Sequence, residues 1–142
     1  MRRAAIVTAA RGWIGTPYHH QASTRAAGCD CLGLVRGVWR EVVGQEPEAA
    51  PPYSPDWAEA SGGETLLAAA ARHFVPAERV AVGSVVVFRW RAGMPAKHVG
   101  IATEPGRLLH AYDSVGRVVE TTFSTAWQRR IAAIFDFPGV TD

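Results

Sequence analysis

The sequence predicts an α+β fold, with helices in its first half and an antiparallel sheet in its second half. Two observations support this prediction. Apolar residues recur at helical spacing up to Phe74, and β-branched runs separated by glycine and proline recur about every ten residues after Gly83. The 142 residues are enough for one domain that buries a core without disulfides or metal ions. We therefore expect 1–142 to form a single domain.

Three helices are predicted before the sheet. The first follows an apolar repeat that stops at Gly15, the second covers about 30–43, and the third covers about 64–74. A small polar loop is expected at 21–28, before Cys31, and a long proline-rich surface loop is expected at 45–63. The repeat of the first helix consists of Ile6, Ala10, Trp13 and Ile14.

Five short strands are predicted to follow as an antiparallel meander or half-barrel. Glycine and proline pairs mark the turns between them. Trp127, between the last two strands, is expected in the core. The predicted strands cover residues 84–90, 97–103, 107–112, 117–122 and 130–135.

Composition and charge argue against several classes of protein. The net charge is only +2 and no block of like charges occurs, so we expect no nucleic-acid partner. No apolar stretch approaches the roughly 18 residues of a membrane span, so we expect no membrane partner. The apolar run at residues 4–10 ends at Arg11 and is short for a signal peptide. We expect synthesis in the cytoplasm and delivery by another component.

Cys31 is the candidate nucleophile. It stands at the start of the second predicted helix, directly after Asp30, which is a typical N-cap residue. Backbone N–H groups at a helix start stabilise a thiolate, so we expect a lowered pKa for Cys31. The same N–H groups suit an oxyanion. From position alone, an inert buried cysteine is the more frequent alternative.

His98 and His110 are candidates for a base and the group that orients it. His98 opens a predicted strand and His110 lies near the end of the next strand. If a hairpin turns near Pro105, the two histidines fall within about two residues of each other, roughly 7 Å, on neighbouring strands. Each histidine alone is more often a surface or satisfied residue, whereas the pair fits a base with an orienting partner.

Five segments, in order, resemble the motifs of the NlpC/P60 peptidases. They match the family's Gly-x-Pro-Tyr segment, its Asp-Cys-Ser-Gly nucleophile motif, its Gly-Asp-Leu-Val-Phe-Phe strand, its His-Val-Gly-Ile strand and its His-Ala pair. The segments are Gly15-Thr16-Pro17-Tyr18, Asp30-Cys31-Leu32-Gly33-Leu34-Val35, Gly83-Ser84-Val85-Val86-Val87-Phe88, His98-Val99-Gly100-Ile101 and His110-Ala111.

The resemblance implies a papain-like fold and a thiol-dependent hydrolase that needs no cofactor. It implies that Cys31 attacks, that His98 is the base, that His110 orients His98 and that the Tyr18 hydroxyl helps to bind the oxyanion. Without the resemblance, Tyr18 would be read as a half-buried aromatic residue. Proteins of this family typically cut peptide stems of bacterial peptidoglycan, often between D-glutamate and a diamino acid. His20 and Asp30 are further candidate cleft residues.

The segment from Gly15 to Gln21 is most similar to the subgroup encoded in phage and phage-like tail clusters, including gene transfer agents. This resemblance implies tail hub or baseplate proteins as partners. A tail that carries the enzyme to the cell wall from outside would explain the missing signal peptide.

Three residues depart from the family pattern, and two other functions stay open. Leu32 replaces a serine and is expected to pack in the core, Cys29 is an unusual neighbour of a reactive thiol, and Ser84 replaces an aspartate with no clear consequence. One alternative is a structural tail component without activity. The other is a zinc-binding module, with Cys29, Cys31, His98 and His110 as ligands.

Overall fold

The structure, a computed structural model, describes residues 1–47 and 64–142. It is an α+β fold, as the sequence predicts. The helices in these residues are α1 (Arg3–Arg11), α2 (Cys31–Val42), α3 (Thr65–His73) and α4 (Thr125–Gln128). The strands are β1 (Ser23–Thr24), β2 (Gly28–Cys29), β3 (Val75–Ala77), β4 (Val85–Phe88), β5 (His98–Glu104), β6 (Arg107–Tyr112), β7 (Arg117–Thr122) and β8 (Ile131–Asp136).

Strands β3 to β8 form one antiparallel six-stranded sheet in the order β3-β8-β4-β5-β6-β7. The predicted meander is correct for β4 to β7. It is wrong for the last strand, because β8 returns to the other side of β4 and pairs there with both β4 and β3. This return makes β4 and β5 central strands, and the side chains of Val85–Phe88 are all buried.

The sheet buries side chains on both faces. Val85 and Val87 of β4 face the larger core, which contains residues of α1 and α2, whereas Val86 and Phe88 face a smaller cluster with Trp127 beside it. This division follows the two-residue period of a strand. From the helices, the larger core receives Ile6, Ala10, Leu34, Val35 and Val38.

Three sequence predictions need correction or fall outside the described residues. Helix α1 ends at Arg11, before Ile14, which is 49% exposed. The chain turns away there through Gly15, which has a positive φ of 89° and donates its N–H to Val118. The predicted loop before Cys31 contains the hairpin β1–β2. The predicted loop 45–63 is described only for residues 45–47.

Within the described ranges, no helix combines the length and the apolar character needed to cross a membrane. The longest of them, α2, has 12 residues and a polar face.

Two glycines let α2 pack closely against the segment that precedes it. A Cβ at Gly33 would lie 1.9 Å from the carbonyl oxygen of Ala22, and a Cβ at Gly37 would lie 2.0 Å from Cζ2 of Trp13. Trp13 is 2% exposed, so its ring has little room to move. The first turn of α2, which carries Cys31, therefore sits at a fixed position beside the N-terminal segment.

We predict that Gly37→Ala destabilises the protein, although alanine is the better helix former by roughly 1 kcal/mol. The new methyl group would overlap the ring of Trp13, and overpacking of this kind costs about 1–3 kcal/mol. Urea denaturation measures the difference in the free energy of unfolding between Gly37→Ala and wild type. In a Trp13→Leu background the cost of Gly37→Ala should shrink, and a stabilising effect in the wild-type background would contradict this packing.

Candidate active site

Asp30 begins helix α2 and fixes the loop in front of it. Its Oδ1 accepts the N–H of Gly33 at 2.7 Å, and its Oδ2 accepts the N–H of Gln21 at 2.8 Å. The first contact confirms the predicted N-cap. Asp30 is 3% exposed. Cys31 is therefore held as the first residue of the helix.

Cys31 lies at the edge of a cavity of about 300 Å³. Its Sγ is 3.8 Å from the carbonyl oxygen of Lys97, the residue that precedes β5. Cys31 and His98 both line this cavity, together with the sequence-predicted residues Tyr18, His20 and Asp30. The structure thus brings the candidate nucleophile, base, oxyanion donor and cleft residues to one opening.

The prediction that the helix start lowers the pKa of Cys31 is wrong for this arrangement. Burial and the nearby Asp30 carboxylate raise the pKa of the thiol to about 12. The backbone N–H of Val99 in β5, and those of Leu32 and Cys31 at the start of α2, act in the opposite direction, but they are outweighed. Cys31 therefore holds its proton at neutral pH.

His98 and His110 meet through their rings. Nε2 of His98 lies 2.7 Å from Nδ1 of His110, and the two side chains are 4% and 1% exposed. Because Nε2 is occupied, Nδ1 is the nitrogen of His98 that remains for a proton from Cys31. A basic Nδ1 requires that Nε2 of His98 carries its hydrogen and donates to His110.

The strand register explains how two histidines twelve positions apart come into contact. In the β5–β6 hairpin Ile101 pairs with Leu109, and an irregularity between Ala102 and Glu104 sets the turn. Gly100 lies in the same stretch, and a Cβ there would be 3.1 Å from Cβ of His110. The absent side chain gives His110 its place beside His98.

Burial keeps both imidazoles neutral. It lowers the pKa of His110 to about 4, and it lowers the pKa of His98 well below the usual range, with a further decrease from His110. A neutral thiol and a neutral imidazole thus face the cavity at neutral pH, with His110 behind them and outside the cavity lining.

Tyr18 and His20 reach the cavity from the loop before β1. The N–H of Tyr18 donates to the carbonyl of Gly116, which ties this loop to the turn before β7. Burial first, and then the nearby Cys31 and Asp30, raise the pKa of the Tyr18 phenol, so Tyr18 keeps its hydroxyl hydrogen as a donor. Nδ1 of His20 lies 3.9 Å from Oδ2 of Asp30.

Sequence reasoning missed the aromatic rings around His98. Trp90 and Tyr112 line the cavity, and Trp127 is half-buried beside His98. The sequence predicts Trp127 only as a core residue. A signal for Trp90 was present in the sequence, because it ends the predicted strand 84–90, which a meander places beside the predicted strand that contains His98. Ring centroids within 6 Å of that of His98 belong to Phe88, Trp90, His110, Tyr112 and Trp127.

The structure shows what surrounds each of the three residues that depart from the family pattern. Cys29 is fully buried, and burial raises the pKa of its thiol to about 12. Leu32 packs against the core, as expected, but it also lines the cavity. The Ser84 hydroxyl accepts the N–H of Ala81 and donates to Asp136, so it links the residue before β4 to the end of β8.

The zinc alternative meets a geometric difficulty. Nε2 of His98 and Nδ1 of His110 point at each other, whereas two ligands of one ion point at the ion. In residues 1–47 and 64–142, no three His, Cys, Asp or Glu side chains are grouped as metal ligands are.

Comparison with known proteins identifies the family. The NlpC/P60 family pattern matches residues 15–135, which is most of the chain. The chain belongs to the NlpC/P60 family.

Individual relatives are more distant. The chain is similar to the gamma-DL-glutamyl hydrolase of Bacillus subtilis, with 27% identity over 136 residues, which are 96% of this chain. The chain spans only 30% of the length of that relative.

Solved structures share the fold. An NlpC/P60 family protein from Bacillus cereus has a TM-score of 0.68 at 14% identity, over 96% of this chain and 40% of that one. The NlpC/P60 domain of the peptidoglycan hydrolase SagA has a TM-score of 0.63 at 23% identity, over 96% and 100%. The peptidoglycan hydrolase RipB of Mycobacterium tuberculosis has a TM-score of 0.58 at 23% identity, over 94% and 64%.

We predict that the buried histidine pair makes stability depend on pH in a defined window. The unfolded chain takes up protons below about 6.5, whereas folded His110 does so only near 4. Stability should therefore fall as the pH drops from about 6.5 towards 4, by up to about 3 kcal/mol from His110. Urea denaturation at several pH values measures the slope.

The matched variants are His110→Asn, which should flatten that slope, and His19→Gln, which removes an exposed histidine outside the pair. An equal slope in wild type and His110→Asn would contradict a neutral, buried His110.

Proposed function

We propose that this chain is a cysteine peptidase that cuts peptide stems of bacterial peptidoglycan. One observation carries the proposal. His98, hydrogen-bonded through Nε2 to His110, lines the same cavity as Cys31, which lies at the start of a helix. A nucleophile, a base and a group that orients the base form the arrangement used in covalent hydrolysis of amides.

In the proposed first step, the thiol of Cys31 gives its proton to Nδ1 of His98 as the sulfur attacks an amide carbonyl. Transfer accompanies attack because burial disfavours both the separate thiolate and the separate imidazolium. His110 accepts the Nε2 hydrogen of His98 and so holds the required tautomer.

The negative charge of the tetrahedral intermediate is placed on an oxygen near the start of α2. The backbone N–H of Cys31 and the hydroxyl of Tyr18 are the proposed donors. His98 then protonates the leaving amine, which leaves a thioester on Cys31. Water attacks the thioester with His98 again as the base, and the acid product departs with the thiol restored.

The proposed substrate class comes from the relatives. SagA and RipB are peptidoglycan hydrolases by name, and the Bacillus subtilis relative is named for a γ-linked glutamyl bond. Peptidoglycan stems contain such bonds. An amide whose acyl side is a γ-linked D-glutamate is therefore the proposed target.

Delivery by a phage-like tail is a further part of the proposal. It rests on the resemblance of the segment from Gly15 to Gln21 to tail-encoded members of the family. In this arrangement the enzyme is a component of the tail hub or baseplate and acts on the wall as the tail penetrates it. Mass spectrometry of purified tail particles from the producing strain should detect this chain. Tail particles without this chain would contradict delivery by a tail.

The nucleophile is tested by digestion of purified sacculi. We predict that wild type and Cys29→Ala release cut stem peptides and that Cys31→Ala releases none, because only Cys31 reaches the cavity. Mass spectrometry of the products identifies the bond. Release by Cys31→Ala, or no release by folded wild type on walls of several species, would contradict the proposal and would favour a structural tail component.

The supporting residues are tested by steady-state kinetics on a synthetic stem peptide that contains the uncut bond. Tyr18→Phe keeps the ring and removes the donor, and should lower kcat by about 100-fold with little change in KM. His110→Ala should lower kcat by about 100-fold or more, whereas His110→Asn, which retains an acceptor, should lose less. Equal losses in the alanine and asparagine variants would contradict an orienting role for His110.

A further inference from the structure

The base must carry a positive charge in a place that disfavours it. In the proposed reaction, which this inference extends, His98 becomes an imidazolium while it is 4% exposed. The titratable groups that share the cavity or a ring contact with His98 come from the start of α2, the loop before β1, the residue before β5, and β6 with the turn after it: Asp30, Cys31, Tyr18, His20, Lys97, His110, Tyr112 and Asp113. Burial and His110 both lower its pKa, and no carboxylate of the described residues raises it.

Aromatic faces surround the imidazole instead. The indole of Trp90 is stacked on His98, with centroids 5.2 Å apart and planes inclined by 29°. Trp127 follows at 5.4 Å, and Phe88 and Tyr112 both lie at 5.8 Å. A cation within about 6 Å of an aromatic face is attracted to its electron-rich surface, and tryptophan attracts most strongly.

We propose that Trp90 stabilises the imidazolium form of His98 by stacking its indole face on the ring, so that it supplies part of the stabilisation that a carboxylate would otherwise provide. Trp90 acts through His98 and is a positioning residue in this role. The contribution is greatest when Cys31 has given up its proton, because the neutral imidazole gains little from the aromatic face.

The fold holds Trp90 in this orientation from several directions. Its backbone follows β4, where the N–H of Arg89 donates to the carbonyl of Arg130 and the carbonyl of Trp90 accepts from Nε of Arg130 at 3.4 Å. Its ring stacks on Tyr112 at 5.9 Å and packs against Trp127 at 5.6 Å. Tyr112 in turn stacks on His110 at 5.4 Å.

If Trp90 only shields His98 from water, altering Trp90 should change the pKa of His98 in the opposite direction. If Trp90 only excludes water from His98, a smaller side chain lets water reach the ring and raises the pKa of His98. If the indole face stabilises the cation, weakening that face lowers the pKa. A fluorinated tryptophan is nearly the same shape as tryptophan but has a less negative face, so it separates attraction from shielding.

The experiment is an NMR titration of the His98 ring in Cys31→Ala, where the thiol no longer titrates with it. Three proteins are compared, with tryptophan, trifluorotryptophan or phenylalanine at position 90. The proposal predicts that trifluorotryptophan lowers the pKa of His98 by about 0.4 to 1.5, and that Trp90→Phe lowers it in the same direction. An unchanged or raised pKa with trifluorotryptophan overturns the proposal.

The matched control is trifluorotryptophan at position 39. Trp39 packs against Phe74 and Phe137, away from the cavity, so this replacement should leave the pKa of His98 unchanged. An equal shift from position 39 would overturn a specific role for Trp90.

In the protein with Cys31 restored, kinetics supply a second readout. Trifluorotryptophan at position 90 should lower kcat by roughly 2- to 10-fold and move the acidic limb of kcat/KM to lower pH. A purely structural effect lowers kcat without moving the acidic limb of kcat/KM, and this outcome counts against the proposal. The titration needs no substrate, so an inactive protein with the predicted NMR shift contradicts the proposed peptidase function and not the role of Trp90.

Discussion

The hydrogen bond between His98 and His110 is the contact on which the candidate site depends. It exists because β5 and β6 pair in one register and because Gly100 leaves room for His110. It occupies Nε2 of His98 and leaves Nδ1 for the cavity that Cys31 also lines. A different register of the hairpin would separate the two rings and remove the base, even with every helix in place.

Burial gives this site its electrostatic character. It keeps the thiol and both imidazoles neutral at rest, and it excludes water that would screen charge in the transition state. In the proposed mechanism, the charges that form during attack are stabilised by nearby groups. The proposed donors to the oxyanion are the backbone N–H of Cys31 and the hydroxyl of Tyr18, and the proposed partner of the imidazolium is the indole face of Trp90. The fold brings both sets to one opening by packing α2 against the start of β5.

The sequence predicted the features that depend on local pattern. Helix α2, its Asp30 cap, strands β6 and β7 and the proximity of His98 to His110 follow from periodicity, capping chemistry and turn position. Features set by long-range packing were missed. The return of β8 to β4, the ring of Trp90 on His98 and the raised pKa of Cys31 each depend on what another part of the chain places nearby.

The central claim is that His98 activates Cys31 for attack. The most direct measurement is covalent labelling with a chloromethyl ketone built on a γ-D-glutamyl peptide, with the site located by tandem mass spectrometry and the rate compared with that of His98→Gln. We expect an adduct on Cys31, none on the buried Cys29, and a labelling rate that falls by about 100-fold or more in His98→Gln. Equal labelling rates in the two folded proteins, or labelling of Cys29 alone, would contradict it.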